Sequence, residues 1–141
     1  MTLVTKLLLV ALLLQVAMTF GLLLWLGYVR VPLVTRREVK IKDIALSRDG
    51  WPEHAKQLAS AVDNQFQLPV LFYVAVLLTL WNNTGTWLEL VLGWAFVASR
   101  AVHAAIFTTT NNVPRRFYAW TVGFFILMVY WIVLAIKLIA L

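Results

Sequence analysis

Arg100, His103 and Phe107 stand at i, i+3 and i+7 in a stretch, Ala98 to Phe107, that is otherwise apolar enough to lie in a bilayer. On a helix this spacing points two nitrogen-bearing side chains and an aromatic ring the same way. A central guanidinium costs a membrane helix roughly 2.5–3.5 kcal/mol on insertion scales, so Arg100 is expected to face the protein interior, a carboxylate or a wet cavity. A second set, Gln57, Ser60, Asn64 and Gln67, falls at i, i+3, i+7 and i+10 with Asp63 beside it. Such a polar stripe is tolerated at membrane depth only against other helices or a water-filled pocket. The third group follows Asn111-Asn112-Val113-Pro114. Asn112 suits an N-cap and Pro114 a first turn, so a helix is expected from about Val113, with Arg116 where free N–H groups and the macrodipole favour an anion. If that anion is a thiolate, lowering a thiol pKa by about two units takes roughly 2.7 kcal/mol. One close guanidinium and a helix N-terminus can supply that when shielded from water.

Each of these groups also has a purely structural reading. Arg100 can pair with Asp63 to lock two helices together, and a membrane histidine is commonly an interhelical contact. Arg115 and Arg116 can be positive-inside anchors flanking a helix start. Spacing alone leaves these readings open.

The elements that would position these residues follow from composition. Of 141 residues, 62% are hydrophobic and 13% charged, too little polar surface for a soluble chain of this size, so an integral membrane protein of one domain is expected. The expected fold is all-α, a four-helix transmembrane bundle with helices at about 5–30, 56–82, 86–110 and 113–139 and a loop at about 31–55. The clean apolar run of the second helix, Leu68 to Trp81, rises only about 21 Å against a hydrocarbon core of about 30 Å, so the polar turns before it must also enter the membrane zone. Pro69 removes the donor for the carbonyl of Gln65, which predicts a kink there. Asn82-Asn83-Thr84-Gly85 reads as a tight turn.

Charge orients the bundle and limits its chemistry. Arg30, Arg36, Arg37, Lys40, Lys42, Arg48 and Lys56 lie between the first two spans and Arg115 and Arg116 between the last two, whereas the turn between the second and third has no basic residue. Both basic segments are therefore assigned to the cytoplasmic side, with both termini outside. The net charge of +6 is explained by this topology, and no nucleic-acid partner is expected. The loop could lie on the anionic leaflet or cap the pocket mouth; a solvated loop is the alternative. With no cysteine, thiol chemistry would need a thiol on the ligand, and no His cluster for a metal is apparent.

The block Asn64-Gln65-Phe66-Gln67-Leu68-Pro69-Val70-Leu71-Phe72-Tyr73, then Arg100-x-x-His103, then Asn111-x-Val113-Pro114-x-Arg116-Phe117, resembles the MAPEG family, membrane-associated proteins in eicosanoid and glutathione metabolism, and particularly its small bacterial members. The resemblance implies a multi-pass membrane homotrimer, in the bacterial inner membrane, with glutathione as co-substrate bound between neighbouring subunits. It implies Arg116 as the catalytic group that stabilises the thiolate, and Arg30, Asn64, Gln67, Arg100 and His103 as glutathione-binding residues. The sequence departs from the family pattern at Gln67, where relatives carry a glutamate, and at Phe107, where a tyrosine is frequent. Phe117 replaces the serine of prostaglandin-forming relatives, and Asn112 stands where many have an arginine. Two functions follow: a glutathione-dependent transferase or peroxidase acting on lipophilic electrophiles from the bilayer, or a catalytically silent MAPEG-fold protein serving as a structural trimer or accessory subunit.

Overall fold

Thr2 opens the first helix by accepting the Thr5 backbone N–H on its hydroxyl at 3.2 Å, and α1 then runs from Leu3 to Thr35. The computed structural model describes residues 2–140, which are 82% helical in the chain as a whole with no strands among them. At 1.5 Å per residue α1 is about 50 Å long, so it outruns a hydrocarbon core of about 30 Å. It extends past the expected end near residue 30 because Pro32 deletes only one hydrogen bond, the one to the carbonyl of Tyr28. The next turn closes normally, Arg36 N donating to Pro32 O at 2.9 Å.

The connection is correspondingly shorter than expected and partly ordered by its own apolar residues. It holds a single turn, α2 (Ile41–Ile44), and Val39, Trp51 and Ala55 are buried against Val29, Leu33, Val34 and Ile44. The segment thus packs on the end of α1.

The second span is two helices rather than one kinked helix. α3 (Glu53–Gln65) and α4 (Leu68–Trp81) meet at Phe66 and Gln67, where Gln67 leaves helical geometry with φ −102° and ψ −107°. Pro69 lies in the first turn of α4, where a missing N–H costs nothing. The predicted kink is a full break, which frees the side chain of Gln67 from the helical stripe.

α5 (Trp87–Thr108) begins with a capping box in which the Glu89 carboxylate accepts from Thr86 N at 2.8 Å. α6 (Val113–Ala140) starts where the sequence indicates, Asn112 Oδ1 accepting from Arg115 N at 3.1 Å. Between them Asn111 takes φ 48° and donates its N–H to Ile106 O at 2.7 Å, closing α5. This left-handed residue reverses the chain within four positions.

Four helical stretches, Leu3–Thr35, Glu53–Trp81, Trp87–Thr108 and Val113–Ala140, are long and apolar enough to cross a membrane. Their inward faces form one core around Leu8, Ala11, Phe72, Val76, Phe96 and Leu134. The Phe72 and Phe96 rings stack at 4.7 Å. α5 and α6 pack tightly at Gly123, where an added Cβ would lie 2.6 Å from Ser99 Oγ. Large apolar side chains such as Phe20, Leu24, Leu77, Val91, Phe125 and Ile136 point outward, as a lipid-facing surface requires.

Candidate functional site

The break between α3 and α4, the last two turns of α5 and the first two of α6 surround one recess. Its cavity is about 250 Å³. Asn64 and Gln67 line it from one side, His103 and Phe107 from α5, and Val113, Arg116, Phe117 and Trp120 from α6. Each wall depends on a local feature: the helix break for Gln67, the i, i+4 spacing on one α5 face for His103 and Phe107, and the Asn112 cap for Arg116.

Arg116 is held from two directions. Its guanidinium lies 4.0 Å over the Phe107 ring, and NH1 donates to Asn111 Oδ1 at 2.6 Å. Phe107 in turn packs edge-on against His103 at 5.6 Å. Gln57 Nε2 donates to the carbonyl of Phe107 at 2.5 Å, tying α3 to the end of α5.

Arg100 is fully buried behind the cavity wall. Its NH2 reaches Asn64 Oδ1 at 3.3 Å and His103 Nδ1 at 3.2 Å, while Nε and NH1 have no partner among the described residues. The proposed brace between Arg100 and Asp63 is not formed. Asp63 is one residue, and so about 100°, around α3 from Asn64, and it turns outward to Arg48 with contacts of 2.6 and 3.3 Å. That hydrogen-bonded pairing raises the pKa of Arg48, which lies outside the membrane spans. The interior at Arg100 and Arg116 is therefore left with cations, amides and an imidazole, and among the described residues no carboxylate lines the cavity.

Of the residues singled out from sequence, Asn64, Gln67, His103 and Arg116 line this cavity, and Arg100 stands directly behind two of them. Arg30 does not join them within the protomer. Its guanidinium stacks 4.4 Å over Trp51, beside a separate groove that includes Ile41 and Ile44. The longer α1 carries it to the packed connection. Gln57 and Asn64 of the polar stripe both bond to α5 or its residues, as an inward-facing stripe requires.

Two contributors to the recess, Asn111 and Trp120, went unassigned from the sequence, as did one buried acid elsewhere in the bundle. Asn111, the holder of Arg116, was visible only as the first residue of the motif that precedes the last helix. Trp120 follows Arg116 at i+4 and was discoverable from helical spacing. Glu89, fully buried and bonded to Lys137 Nζ at 2.6 Å, lies at the other end of the bundle and carried no signal beyond its capping position.

With cationic and N–H donors converging and no acid present, the recess fits an anion. Its apolar side, Phe117 and Trp120, suits a lipophilic second reactant. The sequence model of the MAPEG family matches residues 8–136 of the chain, covering all four spans. No curated protein and no solved structure matches it.

Proposed function

The chain belongs to the MAPEG family of membrane-associated proteins in eicosanoid and glutathione metabolism, and from that membership we propose that it is a glutathione-dependent transferase or peroxidase acting on lipophilic electrophiles drawn from the bilayer. One observation carries this reading: Arg116 is fixed at a helix start on the rim of a cavity that it shares with Asn64, Gln67 and His103 and that no carboxylate lines. Glutathione brings carboxylates and an ionisable thiol, which suit the donors present. Arg116 and the N-terminus of α6 hold the sulfur as thiolate, and the amides and imidazole receive the rest of the tripeptide. In a transfer, the sulfur forms a bond to the electrophilic carbon as that carbon's bond to its leaving group breaks.

The cavity of one protomer, about 250 Å³, is below the roughly 300–1,000 Å³ of common ligand sites. This supports a site that a neighbouring subunit completes, with Arg30 contributing from the subunit boundary, and the family resemblance makes that assembly a homotrimer. The distribution of basic residues supports a site at the cytoplasmic leaflet with both termini outside, and the likeness to small bacterial members supports a bacterial inner membrane. The competing reading, a silent structural or accessory trimer, is favoured by Gln67, which lacks the charge of the family's glutamate, and by Phe107, which lacks a hydroxyl.

Thermal unfolding of the detergent-purified protein with and without millimolar glutathione separates the two. Ligand at 100 times its Kd stabilises the folded state by about 2.7 kcal/mol, so the melting temperature is expected to rise. No rise, together with no thiolate absorbance near 240 nm, would leave the silent reading.

A further inference from the structure

A guanidinium can only donate hydrogen bonds, and this fixes the polarity of both partners of Arg100. The nitrogen of His103 that faces NH2 at 3.2 Å is Nδ1, so Nδ1 must carry a lone pair and the ring proton must sit on Nε2. An imidazolium would point N–H at N–H. By the same logic Asn64 turns its oxygen to Arg100, 3.3 Å away, leaving the two hydrogens of Nδ2 free. Neither His103 Nε2 nor Asn64 Nδ2 is engaged by another hydrogen bond among the described residues. Both side chains line the cavity.

The geometry points to Arg100 as a positioning residue that, from behind the wall, orients His103 and Asn64 so that both present N–H donors to the cavity, making it selective for a carboxylate or thiolate acceptor. This rests on reading the recess as the thiol-ligand site and specifies the ligand chemistry that one wall accepts. A fully buried cation with no carboxylate in reach also sets a positive potential across that wall. Arg116 and the α6 N-terminus add their donors from the opposite side. An ammonium group would meet like charge and hydrogen-bond donors at the His103, Asn64 and Arg116 faces, so the cationic end of a ligand is directed away from them, toward the amide oxygen of Gln67. Nothing in this arrangement requires Arg100 to touch the ligand. A merely structural Arg100 would leave glutathione affinity unchanged in a folded Arg100→Met variant, whereas a positioning one lowers it through His103 and Asn64.

The tautomer can be read directly by nitrogen NMR of protein labelled with ¹⁵N at the histidine ring. The chain has two histidines, and His54→Gln leaves only the signal of His103. The expected spectrum is that of a neutral ring protonated at Nε2, retained in Arg100→Lys, which still donates, and shifted toward a mixture in Arg100→Met. A wild-type ring protonated at Nδ1 overturns the assignment, as does a folded Arg100→Met variant with an unchanged spectrum. Should Arg100→Met not fold, the wild-type spectrum alone decides. For the ligand side, His103→Leu is expected to weaken glutathione binding by about 10–100-fold, the value of one hydrogen bond to a charged group, whereas His103→Gln, which keeps an N–H, recovers most of it. Equal affinity of the Leu and wild-type proteins overturns the donor wall. The tautomer is measured without any thiol, so failure of glutathione to bind the wild type would sink the proposed activity and leave the NMR result intact.

Discussion

Arg116 is positioned by two contacts that make opposite demands on it. Stacking on Phe107 at 4.0 Å holds the guanidinium plane, and the bond to Asn111 uses one edge, which leaves its remaining N–H groups for an anion. Replacing it tests the thiolate role separately from binding. Arg116→Ala is expected to lower kcat about 100-fold, the loss of one preorganised donor, and to abolish the 240 nm thiolate band while glutathione still raises the melting temperature. An undiminished band would remove Arg116 from catalysis. Asn111→Ala should act in the same direction but more weakly, because it loosens the guanidinium without deleting it. Stopped-flow measurement of thiolate formation would rank the two variants.

Helices are joined here by a few polar contacts whose removal has calculable cost. Glu89 has no exposed side-chain surface, and Lys137 links α6 to it at 2.6 Å and to the Thr84 carbonyl at 3.0 Å. Lys137→Met would leave a buried carboxylate without its cation, at a cost of about 3–5 kcal/mol. Adding Glu89→Gln should restore much of the melting temperature, which a thermal scan of the single and double variants checks. The α5–α6 contact is steric instead. Gly123→Ala forces Ser99 Oγ away from 2.6 Å and should destabilise by about 1–3 kcal/mol, and Ser99→Gly in the same chain should relieve it. The helix break before Pro69 belongs to the same scale, since without it Gln67 would continue the α3 stripe toward α5.

At the scale of the molecule, Arg30 is the residue that tests the proposed assembly. Within the chain it stacks on Trp51 in a segment packed against the end of α1. If a neighbouring subunit completes the cavity, Arg30→Ala should reduce glutathione affinity by about tenfold while the sedimentation of the protein is unchanged from the wild type. Unchanged affinity would confine Arg30 to its aromatic contact. The outward apolar surface is continuous with what four membrane spans demand, so both measurements belong in detergent or nanodiscs.

The sequence by itself determined that four apolar helices cross a membrane, because length and hydropathy set that outcome residue by residue. It also determined where α6 begins, through Asn112 and Pro114, and that Arg100 must be buried, since lipid would not tolerate it. Only the tertiary structure decided which groups meet. Asp63 and Asn64 are adjacent in the chain, yet one faces Arg48 and the other Arg100, a choice made by the direction in which α3 packs. Pro69 announced an irregularity, but only the structure shows that it divides the span, with local bonds closing both sides of the break, Phe66 N to Asp63 O and Val70 N to Gln67 O. The extra turn of α1 past Pro32 is likewise a matter of packing, with Leu33 and Val34 covered by Val39 and Trp51. Local chemistry sets which conformations are affordable, and contacts between distant segments select among them.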